Sequence, residues 1–199
     1  MAKKTTRDYI TILQENYFKG EYHPQTKFIN ELNLLHSTRI LGIGGEQALN
    51  DANSKVEVGI SDFNGTLTPT DAKGLMRAMT IRYGTSSKDV SPALVKYSEI
   101  ETDFPAWLLN SEIIIKTGSV EALRTRVNDL VLGSKPDKVA SEWAKEFEKT
   151  VKISGGQDLQ IYLSTPKGAE QDKGTAESPK FDYVAVNLYG IKFGDRKAN

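Results

Sequence analysis

The sequence predicts a β-rich α+β protein built on antiparallel strands. Near the C-terminus, three runs alternate β-branched or aromatic residues with polar ones, at 150–154, 158–163 and 181–189. This period of two is typical of half-buried strands. A helical period is clear in only a few places, of which 135–149 is the strongest. A chain of 199 residues can form one substantial core, so we expect one main domain with appendages.

The first 37 residues are expected to form an N-terminal helical arm. Residues 5–18 carry apolar side chains at helical spacing: Tyr9, Ile12, Leu13 and Tyr17. Thr5 or Thr6 can cap the start of this helix, and Gly20 can end it. The following segment, 25–36, fits a helix as well as a strand, so its structure is left open.

The main β-rich domain is expected to span 38–193. Alternation predicts strands at 38–43, 55–60, 93–97 and 112–116. A helix is expected to open at Thr70 and to carry Leu75, Met76 and Met79. Residues 120–132 fit a helical face and a strand equally well.

The segment 135–149 has the strongest helix signal in the chain. Ser134 can act as the cap, Pro136 lies in the first turn, and an aromatic or β-branched residue recurs every four positions: Val139, Trp143, Phe147. We therefore expect one or two helices besides the N-terminal one.

Residues 166–180 separate the last two predicted strands and contain no side chain larger than Ala whose apolar area could be buried. Such a segment cannot offset the entropy lost on ordering, so it is expected to be a flexible loop. A long loop between strands can serve recognition or be plainly disordered. Residues 194–199 form a short tail.

Composition excludes several functional classes. Lys plus Arg and Asp plus Glu both number 26, which gives no net charge and argues against a chain dominated by phosphate neutralisation. Cys is absent, which excludes disulfides, thiolate zinc sites and Cys nucleophiles. The N-terminus is too polar for a signal peptide, and the apolar runs are far shorter than the roughly 20 residues of a membrane span. We expect synthesis in the cytoplasm and no membrane span.

The string Asp62-Phe63-Asn64-Gly65-Thr66-Leu67 resembles the first motif of the haloacid-dehalogenase-like phosphatases, Asp-x-Asp-Gly-Thr-Leu after a strand. The resemblance implies that Asp62 is the nucleophile. Asn64 stands where the family has its general acid/base, and a neutral amide cannot transfer that proton. The alternative is that Asn64-Gly65 marks a hairpin turn in which Asp62 binds the local backbone.

No other segment completes a catalytic, cofactor or metal motif. Gly42-Ile43-Gly44-Gly45 follows a predicted strand, but Gln47 occupies the third glycine position of a dinucleotide fingerprint. His23 and His36 have no second ligand at metal-binding spacing and are expected to be structural or exposed. We therefore predict no catalytic, cofactor-binding or metal residue, and no enzyme.

Basic residues cluster near the N-terminus, at Lys3, Lys4 and Arg7. Charged chain ends are usually solvated tails, yet subunits that enclose a genome also contact phosphates in this way. These three residues are the candidates for nonspecific contact with a genome.

The run 104–118, with the late strand pair and the polar loop, resembles the β-sandwich virion proteins of phages and other viruses. The resemblance covers about 38–193 and implies an antiparallel, jelly-roll-like sandwich. It implies a self-assembling capsid or coat subunit, located in the virion, whose partners are its own copies and other virion proteins. The alternatives are a filament or tail component of another assembly, or a non-enzymatic binding module.

Overall fold

The structure is a computed structural model, and it describes residues 11, 27–131 and 145–195. Eight strands occur in these ranges: β1 (Lys27–Arg39), β2 (Glu46–Ala48), β3 (Gly74–Ser86), β4 (Glu112–Thr117), β5 (Val120–Arg126), β6 (Lys145–Ile153), β7 (Leu159–Ser164) and β8 (Phe181–Asp195). The described helices are short: α1 (Ala106–Leu109) and three 3₁₀ turns, Pro92–Leu94, Glu101–Asp103 and Val127–Asp129. None of these helices has the length and apolar character required to cross a membrane.

The strands form two four-stranded antiparallel sheets. The first has the order β1-β8-β3-β6 and the second the order β2-β7-β4-β5. Four of the pairings join β1 to β8, β2 to β7, β3 to β6 and β4 to β5. The other two join β3 to β8 and β4 to β7, and so complete each sheet.

One hydrophobic core is shared by the two sheets. Alternate residues of β3 and β8 from the first sheet and of β4 and β7 from the second belong to the same buried cluster: Met76, Met79, Ile81, Val184, Val186, Leu188, Ile113, Ile115, Leu159, Ile161 and Leu163. Phe63, from the long connection between β2 and β3, is fully buried in this cluster. The period of two that predicted the late strands is therefore the period with which they place side chains in this shared core.

The strands predicted from alternation late in the chain are confirmed. The runs 112–116, 158–163 and 181–189 lie in β4, β7 and β8, and most of 150–154 lies in β6. The two ambiguous segments are also resolved. Residues 27–36 belong to β1, so the strand begins inside the predicted arm, and 120–132 begins with β5.

The helix expected from Thr70 is wrong, because Gly74–Ser86 forms β3. Leu75 and Met76 are both fully buried although they lie on opposite faces of the strand. A strand buried on both faces has apolar residues at adjacent positions, and this pattern imitates a helical stripe.

The helix predicted at 135–149 is wrong where it can be checked. Residues 145–149 open β6, and residues 135–144 lie outside the described part of the chain, as does the predicted N-terminal helix except Thr11. Phe147 and Val151 share the buried face of β6 with Ile153. A spacing of four keeps residues on one face of a strand as well as a helix, so it could not separate the two.

Two shorter predictions of strands are also wrong. Residues 55–60 form turns with one isolated bridge, Glu57 to Ser61, and the predicted strand 93–97 contains no strand, its first two residues belonging to the 3₁₀ turn Pro92–Leu94. Of the strand predicted at 38–43, only 38–39 lies in β1. Both segments place apolar side chains in solvent, with Val58 98% and Leu94 77% exposed. Residues 55–59 are all exposed, so the alternation there corresponds to no buried face.

Glycine allows β3 and β8 to approach closely at one end of the first sheet. A Cβ atom on Gly190 would lie 2.0 Å from the carbonyl oxygen of Leu75, and one on Gly74 would lie 1.9 Å from that of Ile191. The register between the two strands also shifts between Met76 and Ala78. The packing of the central strand pair thus depends on the absence of these side chains.

We expect Gly190→Ala to lower the free energy of unfolding by about 1–3 kcal/mol, because the new methyl group must displace backbone in a packed sheet. Urea denaturation measures the change. Gly42→Ala is the matched control, since nothing lies within 4 Å of a Cβ atom there. Equal stability of both variants would contradict the close approach.

Candidate interaction groove

A groove of about 610 Å³ runs beside the outer edge of β1. One wall is the strand itself, at 31–34, and the other is the connection from Asp62 to Ala72. Three further residues complete the lining: Val56, Gly156 and Lys192. We refer to this feature as the β1 groove. It brings together segments that are far apart in the sequence.

The connection that forms the outer wall is attached to the second sheet by buried polar groups. Asn50 is fully buried, and its side-chain amide donates to the carbonyl of Leu159 at 2.8 Å and accepts from the amide of Ile161 at 2.7 Å. At the other end, the hydroxyl of Thr68 donates to the carbonyl of Ser154 at 2.8 Å. These bonds hold the wall in place, because leaving such buried groups unpaired is costly.

His36 lies behind the groove and is buried. It was expected to be structural or exposed, and the first of these holds. Its Nε2 is 2.9 Å from the carbonyl oxygen of Leu49, and its Nδ1 is 2.9 Å from Oγ of Ser61. A carbonyl only accepts, so Nε2 carries the proton and Nδ1 accepts from the hydroxyl of Ser61. Burial lowers the pKa of His36, while the Leu49 carbonyl and the charge of Asp51 oppose that shift. The neutral ring thus joins β1 to the wall.

Asp62 binds β1 and not the local backbone that the sequence suggested. Its Oδ2 accepts from the backbone amide of Leu35 at 2.7 Å, and its own amide donates to the carbonyl of Leu35 at 2.9 Å. The carboxylate therefore extends the hydrogen bonding of the strand edge. The sequence carried no signal for this partner, which is 27 residues away.

The tight turn expected near Asn64-Gly65 is confirmed. Asn64 and Leu67 exchange backbone hydrogen bonds, and Gly65 has a φ of 64°. The central residues are thus Gly65 and Thr66, a position where a glycine with positive φ suits a two-residue hairpin. The described strands pair antiparallel, whereas the phosphatase resemblance implies alternating helices and a parallel sheet.

The outer edge of β1 is only partly covered. The amide of Ser37 donates to the carbonyl of Ile60, and both backbone groups of Leu35 bind Asp62. Backbone groups that point away from β8 recur every second residue, so Glu31 and Asn33 also point outward. Within the described ranges neither has a partner on that side. The β1 groove is thus bordered by an open strand edge.

The charge of the groove is mainly acidic. Its lining contains Glu31, Asp62 and Asp71 against a single cation, Lys192. Asp71 and Lys192 form an ion pair of 2.5 Å, and the hydrogen bond from Lys192 lowers the pKa of Asp71. With these groups ionised, the lining carries a net charge of about −2 at neutral pH.

The Gly42–Gly45 segment and the polar loop are both tied to the sheets. The hydroxyl oxygen of Thr165 accepts from the amides of Gly44 at 2.6 Å and Gly45 at 3.1 Å, and β2, not a helix, follows. In the loop 166–180, the side chain of Gln171 donates to the buried carboxylate of Asp182 at 2.7 Å. The loop thus has one anchor on the first sheet, and its expected flexibility stays a prediction.

Comparison of the chain with protein-family models, with curated proteins and with solved structures gives no match. Across residues 27–131 and 145–195, no group of three or more His, Cys, Asp or Glu side chains is placed to hold a metal ion. Lys3, Lys4, Arg7 and His23 lie outside the described residues. The acidic groove and its open edge are the features that sequence reasoning missed.

The stability of the protein should fall as the pH drops below about 6.5 through the titration of His36. Because burial lowers its pKa in the folded state, the unfolded chain takes up the proton first, and its uptake favours unfolding by up to about 1.4 kcal/mol per pH unit. Thermal unfolding from pH 7.5 to 5.5 tests this against His36→Gln, which lacks the titration. Parallel profiles for the two proteins would contradict it.

Replacing Asp62 by Ala should lower the free energy of unfolding by about 1–3 kcal/mol, because the amide of Leu35 loses its acceptor. Asp62→Asn keeps an oxygen acceptor and should cost less. Denaturant unfolding measures both. Hydrolysis of a phosphate ester that needs magnesium and is abolished by Asp62→Asn would instead support the phosphatase interpretation.

Proposed function

We propose that this protein is a virion structural protein, a self-assembling capsid or coat subunit with a jelly-roll sandwich. The observation that carries the proposal is the strand connectivity. The pairs β1:β8, β2:β7, β3:β6 and β4:β5 are those of one long hairpin folded over on itself. Wrapping such a hairpin would give sheets of order β1-β8-β3-β6 and β2-β7-β4-β5, which are the orders described above. This match supports an eight-stranded jelly roll made of two Greek keys.

The filled interior favours a structural role over a ligand-binding one. Jelly rolls also occur in lectins and in cupins. Here the space between the sheets is occupied by large apolar side chains from both, including Met76, Met79 and Phe63. In the described part of the chain, the surface and the sheet edges are therefore the features that we propose as contacts for partners.

Exposed apolar side chains on the connections support self-association. Val58 is 98%, Leu41 and Leu94 are 77%, and Val56 is 66% exposed. Single apolar residues on a surface are ordinary, but Val56 lines the β1 groove and Val58 lies two residues further along the same connection. Burial against a neighbouring subunit would remove their apolar area from water at about 25 cal/mol per Å².

In the virion, the partners of the subunit would be its own copies and other virion proteins. Lys3, Lys4 and Arg7 are proposed to make nonspecific contact with the genome, since basic N-terminal residues neutralise phosphates and release counterions. Protein that carries nucleic acid should absorb at 260 nm and lose that absorbance at high salt.

The full-length chain should assemble as its concentration or the salt concentration rises. Sedimentation velocity and negative-stain electron microscopy measure this, with closed shells as the expected product. Open filaments would favour the tail or filament alternative. A strict monomer at high concentration would overturn the proposal in favour of a binding module.

Val58→Asp should weaken the assembly without lowering the free energy of unfolding, because the side chain is in solvent in the single subunit. Ser87→Asp, also at an exposed loop position, is the matched control and should assemble normally. Unchanged assembly of the Val58 variant would show that Val58 takes no part in the contacts between subunits.

A further inference from the structure

We propose that the β1 groove binds the basic N-terminal segment of a neighbouring copy, Met1–Asp8, as an extra strand. This inference rests on the proposed self-assembly and names a contact for it. A copy whose segment occupies a groove would not use Lys3, Lys4 and Arg7 on the genome. The added segment would pair with the open edge of β1 at Glu31 and Asn33. It would lie between that edge and the connection Asp62–Ala72.

Hydrogen bonding is the first support for an added strand. The covered part of the edge ends at Leu35, where Asp62 supplies both a carboxylate acceptor and a backbone donor. From Asn33 toward the start of β1, the outward backbone groups have no partner among the described residues. Strand addition satisfies such groups and gives affinity through the main chain.

The opposite wall offers contacts for side chains of an added strand. Val56 is 66% and Leu67 44% exposed, and both line the groove. Alternate side chains of an extended segment point in opposite directions, so one set would face these two residues. Thr5 and Thr6 of the N-terminal segment are β-branched and suit a strand. In the bound copy, the helix expected over 5–18 would therefore begin only after Asp8.

Charge complementarity selects the occupant. The groove lining carries Glu31, Asp62 and Asp71 against Lys192. The first eight residues carry three cationic side chains, Lys3, Lys4 and Arg7, against the single carboxylate of Asp8. Opposite charges steer association and fix register.

The length of the chain before β1 allows the segment to reach another subunit. Lys27 opens β1, so 26 residues precede it in the sequence. Residues 9–26, the 18 residues between the bound segment and β1, span at most roughly 60 Å when extended, at about 3.3–3.6 Å per residue. This exceeds the diameter of a small domain, roughly 30 Å.

Cysteine cross-linking tests the contact directly, because the chain has no Cys of its own. Full-length protein with Lys4→Cys is mixed with full-length protein with Glu31→Cys, treated with nuclease, and oxidised mildly. We expect a disulfide-linked heterodimer in roughly tenfold excess over the one formed with Val120→Cys, a difference equivalent to one power of ten in binding. Val120 is 65% exposed and lies on the edge of the other sheet, so it controls for random collision.

Three results would overturn the inference. The first is a yield no higher than with Val120→Cys. The second is a Glu31→Cys homodimer as the main product, which would indicate pairing of two β1 edges. The third comes from a chain that carries both Lys4→Cys and Glu31→Cys: a cross-link confined to single chains would mean that each segment binds its own subunit. If the unmodified protein assembles but the Lys4→Cys and Glu31→Cys proteins do not cross-link, the proposed function stands and only this contact fails.

A backbone variant separates strand addition from simple charge attraction. Asn33→Pro removes the outward N–H but no hydrogen bond to β8, since that group points away from β8. It should lower the heterodimer yield several-fold, whereas Asn33→Ala should not. Circular dichroism verifies that both variants are folded. Equal yields for the two variants would exclude pairing through the main chain.

Discussion

The fold depends on the pairing of β8 with two strands at once. From Lys27↔Asp195 to Arg39↔Tyr183, its one edge pairs with the whole of β1, while its other edge pairs with β3 from Gly74 to Ser86. Because β8 lies between them, it fixes the position of β1 and therefore of the groove. The close approach at Gly190 makes this central pairing sensitive to a single methyl group.

The long connection between β2 and β3 lies beside the edge of β1, and the two together form the walls of the groove. Phe63 anchors it in the core, Asn50 fastens it to β7, and His36 joins it to β1 through Ser61. Each of these bonds joins residues far apart in sequence. The connection is thus held by buried polar groups, each of which has a hydrogen-bond partner. Its apolar residues Val56 and Val58 remain in solvent.

Alternation predicted β7 because that strand buries one face in regular fashion. β4 and β8 are buried on both faces at 113–115 and 182–186, and their β-branched and aromatic residues marked them as strands. The double burial of β3 was mistaken for a helix because Leu75, Met76 and Met79 also favour helices. At the start of β6, a spacing of four fits both a helix and a strand. The turn near Asn64-Gly65 was predictable, because glycine readily adopts the positive φ that such a turn requires. The partner of Asp62 was not, because Leu35 enters the site only through sheet register.

The sequence by itself determined the local properties: the β-rich character, the tight turn, the absence of Cys and the balance of charge. These follow from the chemistry of neighbouring residues. Only the tertiary structure decided which strands pair, which edge stays open, and that Glu31, Asp62, Asp71 and Lys192 line one groove. The reason is physical: strand order and register are set by burial of faces from the whole chain, and no window of sequence contains that information.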